Sequence, residues 1–201
     1  MKSIASIAAI GLGSLIMAFT PISKRETLTL KPTASTIAWH AEKITGSHQG
    51  TVALKSGSIE IEDNKLKGGS FIVDMSTIEV TDIQGEGKNK LEGHLNSQDF
   101  FNTGEFPEST FVITKVEYTK PTEENLNTNI TGTLTIKGLS NEVSFPAKVE
   151  ITDGKFAAYG EMKIDRTKFN VKYGSASFFD NLGDRAIYDE FVMMISLGAS
   201  R

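Results

Sequence analysis

From Ile37 onward, apolar and polar residues alternate along the chain: Ile37, Trp39 and Ala41, then Ile59 and Ile61 beside Glu60 and Glu62, then Phe71, Val73 and Met75. The alternation resumes through Ile130, Leu134 and Ile136, through Val143, Phe145, Ala147, Val149 and Ile151, through Phe156, Ala158, Met162 and Ile164, and through Phe191, Met193, Ile195 and Leu197. A period of two predicts strands with one face on a core and the other in water. Asp63-Asn64, Lys137-Gly138 and Asp153-Gly154 sit between such segments, and Asn or Gly there accommodates the positive φ of a tight hairpin turn. Sequential antiparallel pairing follows. About eight strands paired in this way must hide their edges, and a meander does so most readily by closing into an up-and-down barrel, with a two-sheet sandwich as the alternative. The expected fold class is therefore all-β, an antiparallel eight-stranded lipocalin-like barrel with one or two short helices.

One segment has helical spacing, from about Lys88 to Asn96, where Leu91, His94 and Leu95 recur, and it ends near Ser97-Gln98-Asp99. Residues 168–186 hold Phe169, Tyr173, Phe178 and Phe179 among Gly, Ser and Asp with no period, and are expected to form a long loop. Lys120-Pro121-Thr122-Glu123-Glu124-Asn125 is expected as an exposed connection.

Composition changes the picture mainly at the N-terminus. Met1-Lys2, an apolar run from Ile4 to Phe19 and then Thr20-Pro21 follow the order of a secretory leader. The run is about 16 residues, short of the roughly 20 that cross a bilayer, so a cleaved leader is favoured over an anchor. Residues 1–22 are thus assigned to a signal peptide and 23–201 to one domain, with a periplasmic or secreted location. The chain has no Cys, which removes disulfides and a lipid-modified cysteine. Its net charge is −4 with basic residues scattered, which argues against nucleic acid as a partner. The partners expected are an apolar small molecule or lipid and, at most, a second copy of the chain as a homodimer. No integral membrane span is expected once the leader is removed.

Candidate chemistry is sparse. His40, His48 and His94 lack the paired spacing of a zinc site, and Gly85-Glu86-Gly87-Lys88 lacks the Ser or Thr and the strand-to-helix context of a phosphate loop. Asp180, Asp184, Asp189 and Glu190 lack the regular spacing of a calcium loop. No Gly-x-Ser-x-Gly elbow occurs, and no Ser is marked by an activating base. Neither a catalytic residue nor a metal site nor a cofactor other than a bound lipid is expected. Arg166, directly after a strand, has the chemistry to hold a phosphate or carboxylate head group, or else to form a structural ion pair with Asp165 or a nearby acid.

The aromatics carry more information. Of twelve Phe, four crowd into Phe100, Phe101, Phe106 and Phe111, downstream of Gly93-His94-Leu95. A barrel of about eight strands holds its own side chains or one small ligand, and extra Phe at an open end favours the second case. The alternative is that Phe100, Phe101, Phe178 and Phe179 plug the barrel end.

Four motifs in order then become informative together: His94-Leu95-x-Ser97-x-Asp99-Phe100-Phe101, Phe106-Pro107-x-x-x-Phe111, Gly132-x-Leu134-Thr135-Ile136-Lys137-Gly138 and Asp165-Arg166-x-x-Phe169. The chain after its leader resembles the YceI-like family. That resemblance implies an exported barrel similar to lipocalins, with a hydrophobic pocket for a polyisoprenoid or other long-chain amphiphile and no catalytic activity. It places Phe100, Phe101 and Phe111 at or near the pocket and puts His94 and Arg166 in family motifs. The candidate ligand-binding set is Trp39, Phe71, Met75, His94, Leu95, Phe100, Phe101, Phe111, Arg166, Phe169, Tyr173, Phe178 and Phe179. Two departures from the family pattern, Leu91-Glu92 in place of Arg-Asp and Ala34-Ser35 in place of a His before Ser, point to a ligand with a less polar head. The expected function is sequestration or carriage of a long-chain isoprenoid or related lipid. The rivals are an enzyme acting on a lipid or quinone through His94, and a plugged barrel that serves as an envelope interaction module.

Overall fold

The computed structural model describes residues 23–200, so the leader assigned to residues 1–22 lies outside them. Nine strands follow in chain order: β1 (Arg25–Thr29), β2 (Thr36–Lys43), β3 (Gly46–Glu62), β4 (Lys65–Val80), β5 (Glu108–Tyr118), β6 (Thr128–Ile136), β7 (Leu139–Thr152), β8 (Lys155–Asp165) and β9 (Ile187–Ser200). The helix α1 (Gly85–Asn96) joins β4 to β5 and starts three residues before the segment expected from spacing. Every strand pairing is antiparallel, in the order β3-β2-β9-β8-β7-β6-β5-β4, and β4 returns to β3 to close an eight-stranded barrel.

The ninth strand does not add a ninth stave. β1 pairs with 58–62 of β3 while β2 pairs with 46–52 of the same strand, so two short strands in line occupy one position in the ring. The break between them is a 3-10 turn at Pro32–Ala34, where Pro fits because its missing N–H removes nothing from a ladder. Leu30 bridges to Ala199 and keeps the barrel shut beside the break. The three hairpin turns expected from sequence all take positive φ, at Asp63, Asn64, Lys137, Gly138, Asp153 and Gly154.

The inward faces form one apolar core from Leu28 at the start of the barrel to Ala199 near its finish. Within it, large rings are accommodated by glycines on the next strand. Gly132 of β6 leaves space that Phe111 of β5 fills, since a Cβ there would stand 2.3 Å from the Phe111 Cζ. Gly160 of β8 does the same for Phe145 of β7, at 2.8 Å, and Gly50 of β3 for Trp39 of β2, at 2.6 Å. The glycines let bulky rings lie flat across a tightly curved wall.

One end of the barrel carries the two-residue turns at 63–64 and 153–154 and the connection 119–127, whose residues 120–125 are exposed as expected, and the other carries longer chain. At the second end lie α1, the segment 97–107, the hairpin between β6 and β7, and the segment 166–186 between β8 and β9. That last segment, expected as a loop, contains only two short 3-10 turns, Arg166–Phe169 and Gly183–Arg185.

Candidate functional site

Beneath this longer-looped end is a partly open apolar cavity. Its volume is about 120 Å³. Its wall is made by residues of β2, β3, β4, β5, β6, β8 and β9, among them Ile37, Val73, Leu134, Met162, Ile164 and Met193, and its roof includes Leu95, Phe100 and Phe101. Among the described residues that line it, all but Ser109 and Arg166 are hydrophobic or aromatic. Side chains that face this space lack the packing partners they would have in a filled core, and an apolar occupant would supply them.

The roof is an aromatic cluster held from below. The His94 ring meets Phe100 at 5.5 Å and Tyr173 at 4.4 Å, both edge-on, and Phe100 meets Phe101 edge-on at 5.2 Å. Phe101 reaches Phe191 of β9 at 6.5 Å. Lys137, in the β6–β7 hairpin, donates from Nζ to the Phe100 carbonyl at 2.8 Å and to that of Asn170 at 3.3 Å. It thereby pins both capping segments to the barrel, and burial pushes its ammonium below the usual lysine value. On the other side, the Val80 N–H donates to Glu92 Oε1 at 2.8 Å, and Lys88 lies between Glu79 and Glu92, so α1 is tied to the end of β4.

Arg166 is the structural centre of the cap. Its Nε donates to the Tyr188 carbonyl at 3.0 Å, Nη1 to those of Val171 and Tyr173 at 2.8 and 2.9 Å, and Nη2 to that of Ile187 at 3.0 Å. Asp189 stands 3.5 Å from Nη2, and the guanidinium lies 5.7 Å from the Phe100 ring centre. The head-group role expected for Arg166 is corrected by this arrangement, because donors committed to four carbonyls are not free for a ligand anion. The ion pair is with Asp189, whereas Asp165 caps the following turn by accepting from the Thr167 N–H at 2.9 Å.

The structure brings together Trp39, Phe71, Met75, Leu95, Phe100, Phe101 and Arg166 around the cavity. The other expected site residues lie elsewhere. His94 and Tyr173 stand above Phe100, with Tyr173 48% exposed. Phe111 lies deeper, and Phe169 is packed in the core beside the cap. Phe178 and Phe179 do not line the cavity: both are about half exposed, Phe178 with the Lys172 ammonium 4.5 Å over its ring. In a loop without a period, nothing local tells an inward Phe from an outward one. Ser109, Met162, Ile164, Tyr188, Phe191 and Met193 were missed as lining residues, although the phase of their strands was the signal that could have found most of them.

Two polar groups on lining residues have no hydrogen-bond partner, Trp39 Nε1 and Ser109 Oγ, and His94 Nε2 in the roof is likewise buried and unpaired. His48 and His40 do not line the cavity; His48 Nδ1 meets Asp82 at 2.9 Å and His40 Nε2 meets Glu42 at 3.2 Å. Among the described residues no three His, Cys, Asp or Glu converge, and no helix is long and apolar enough to cross a membrane. Neither departure from the family pattern reaches the cavity. Glu92 is spent on Val80, and Ser35 Oγ accepts from the Gly198 N–H at 3.2 Å and donates to the Lys31 carbonyl at 2.8 Å.

Comparison with known proteins agrees with this architecture. The family model described as the YceI-like domain matches residues 28–199. The protein named YceI from Escherichia coli O17:K52:H18 is 32% identical over 102 residues, 48% of this chain and 50% of that one, so the match spans about half the length of such curated relatives. Among solved structures, Burkholderia cenocepacia BcnA superposes with a TM-score of 0.64 at 20% identity, over 85% of this chain and 99% of that one. A polyisoprenoid-binding domain from Saccharophagus degradans, described as implicated in plant cell wall breakdown, gives 0.60 at 12% identity, over 86% and 97%. At these identities the two structures establish a shared fold.

Proposed function

We propose, since the chain belongs to the YceI-like family, that this barrel is an exported protein that sequesters or carries a long-chain isoprenoid or related amphiphilic lipid in the cavity beneath its aromatic cap. The observation that carries the proposal is the cavity itself: an apolar space of about 120 Å³, kept open inside a continuous core, is a loss to a barrel that serves only as a scaffold. An apolar chain restores the missing contacts, at about 25 cal/mol per Å² of surface it removes from water. The unpaired Trp39 Nε1 and Ser109 Oγ are the groups that a hydrogen-bonding part of the ligand would meet, since a buried donor without a partner is costly until one arrives. The polyisoprenoid named for the Saccharophagus degradans domain supports this ligand class.

The test is native mass spectrometry of the chain expressed with its leader and purified without detergent, followed by solvent extraction. A stoichiometric added mass that extracts as a long-chain lipid is expected. A bare mass, unchanged after incubation with polyprenols, quinones and fatty acids, would overturn the carrier function in favour of a barrel acting through its outer surface.

A further inference from the structure

The barrel interior does not run as one tube. A second space of about 30 Å³ lies deeper, walled by Ser58, Leu66, Ala147 and Phe156 among others, and Phe71 lines both this space and the larger one above it. Phe111 and Phe145 line only the lower one. The three rings are in contact, Phe71 to Phe111 at 5.3 Å and Phe111 to Phe145 at 5.8 Å between centroids, each pair tilted. Phe111 is 1% exposed, and its ring tip and that of Phe145 lie over Gly132 and Gly160, whose missing side chains give the rings their seats. Phe71 in turn is braced against Phe111 on the paired strand, where the two residues face each other in register. The three strands that carry these rings lie on one arc of the wall, and Ile195 of β9 is the other residue that lines both spaces.

We propose that Phe71, braced by Phe111 and Phe145, forms with Ile195 a floor between the two spaces that determines how much of a lipid chain the upper cavity takes up. This rests on the lipid-binding function proposed above and adds a specificity-determining residue to it. A chain entering from the capped end gains affinity for every carbon it buries, about fourfold per methylene. Once its tip meets Phe71 the gain stops, because further carbons stay in water at the mouth. Removing the Phe71 ring joins the upper space to the lower one and moves that stopping point to a longer chain.

The experiment is a titration of the full chain, freed of co-purified lipid, with prenol, geraniol, farnesol and geranylgeraniol in order of increasing length, for the unaltered protein and for Phe71→Ala. Affinity in the unaltered protein is expected to rise along the series and then level off. In Phe71→Ala it is expected to keep rising by tenfold or more to a longer member. Should Phe71→Ala fail to fold, Phe71→Leu, which retains bulk but not reach, takes its place with a smaller shift of the same sign. A levelling point unchanged in a folded variant overturns the floor while leaving lipid binding intact. An unaltered protein that binds none of the alcohols overturns the lipid-binding function, and the floor with it.

Discussion

The ring of Phe111 occupies the space that a side chain on Gly132 would need: a Cβ at that glycine would lie 2.3 Å from Phe111 Cζ and 2.6 Å from the Val112 carbonyl oxygen. Two strands are thereby locked at one depth of the barrel, and every ring stacked on Phe111 inherits its position. Gly132→Ala is expected to destabilise the fold by about 1–3 kcal/mol through overpacking. Adding Phe111→Leu should restore only part of this, because the Val112 carbonyl also crowds the site. Urea unfolding of the single and double variants measures both effects, and a single variant as stable as the parent would contradict the packing described.

Arg166 holds the segment before β9 through carbonyls that have no other reason to converge. Arg166→Met would leave those acceptors without their donors and the partly exposed Asp189 without its cation, with an expected loss of about 1–3 kcal/mol. Arg166→Lys should recover little of it, since an ammonium cannot span the fork that the guanidinium fills. Amide hydrogen exchange should show the loss of protection concentrated in residues 171–189.

The same clamp predicts an acid response. Burial pushes the Asp189 carboxyl up, but hydrogen bonds from Ser175 and Ser177 and the Arg166 charge outweigh it and leave Asp189 below the ordinary aspartate value. A carboxylate with a depressed folded-state value contributes stability that is present above the unfolded value of about 3.9. That contribution is lost as pH falls through the lower, folded-state value. Asp189→Asn is therefore expected to be less stable at neutral pH and to show a shallower fall in stability below about pH 4. Parallel acid profiles for the two proteins would argue against the clamp.

Trp39 is the only tryptophan in the chain and lines the cavity. Filling that cavity should change its emission in proportion to ligand bound, with the Nε1 hydrogen bond as a source of shift in wavelength. Stoichiometric binding by mass spectrometry with no change in Trp39 emission would place the ligand elsewhere.

Phe101→Glu puts a charge on the roof at a position that is only partly buried, so the barrel should fold while its retained lipid is lost. The far-ultraviolet spectrum checks the first outcome and solvent extraction of the purified variant the second. Phe178→Glu, on the exposed side of the cap, should leave retention unchanged.

The strands and their turns were legible in the sequence because both are local. Alternation from Phe156 to Ile164 needs only one strand and one core, and Asp153-Gly154 needs only its own backbone to turn. β1 and β5 were less legible: Arg25–Thr29 is too short to show a period, and the aromatic cluster around Phe106 and Phe111 obscured the strand that begins at Glu108. The family resemblance is likewise carried by local motifs.

What lies around the cavity depended on closure. Phe71 and Phe111 belong to paired strands, and Phe145 comes beside them only after β6 is inserted between β5 and β7, so no local pattern announces a floor. Arg166 had the chemistry for a ligand anion, and what decided against it was the approach of carbonyls from residues 171–188, which depends on how the segment before β9 folds back. Phe100 turns inward and Phe179 outward for a similar reason, the first anchored by Lys137 from another hairpin and the second left in solvent. The sequence by itself determined which residues alternate, where the chain turns and to which family it belongs, since those follow from interactions a few residues apart. Only the tertiary structure decided which groups remain free for a ligand, because hydrogen-bonding capacity and free volume are what is left after distant parts of the chain have taken their share.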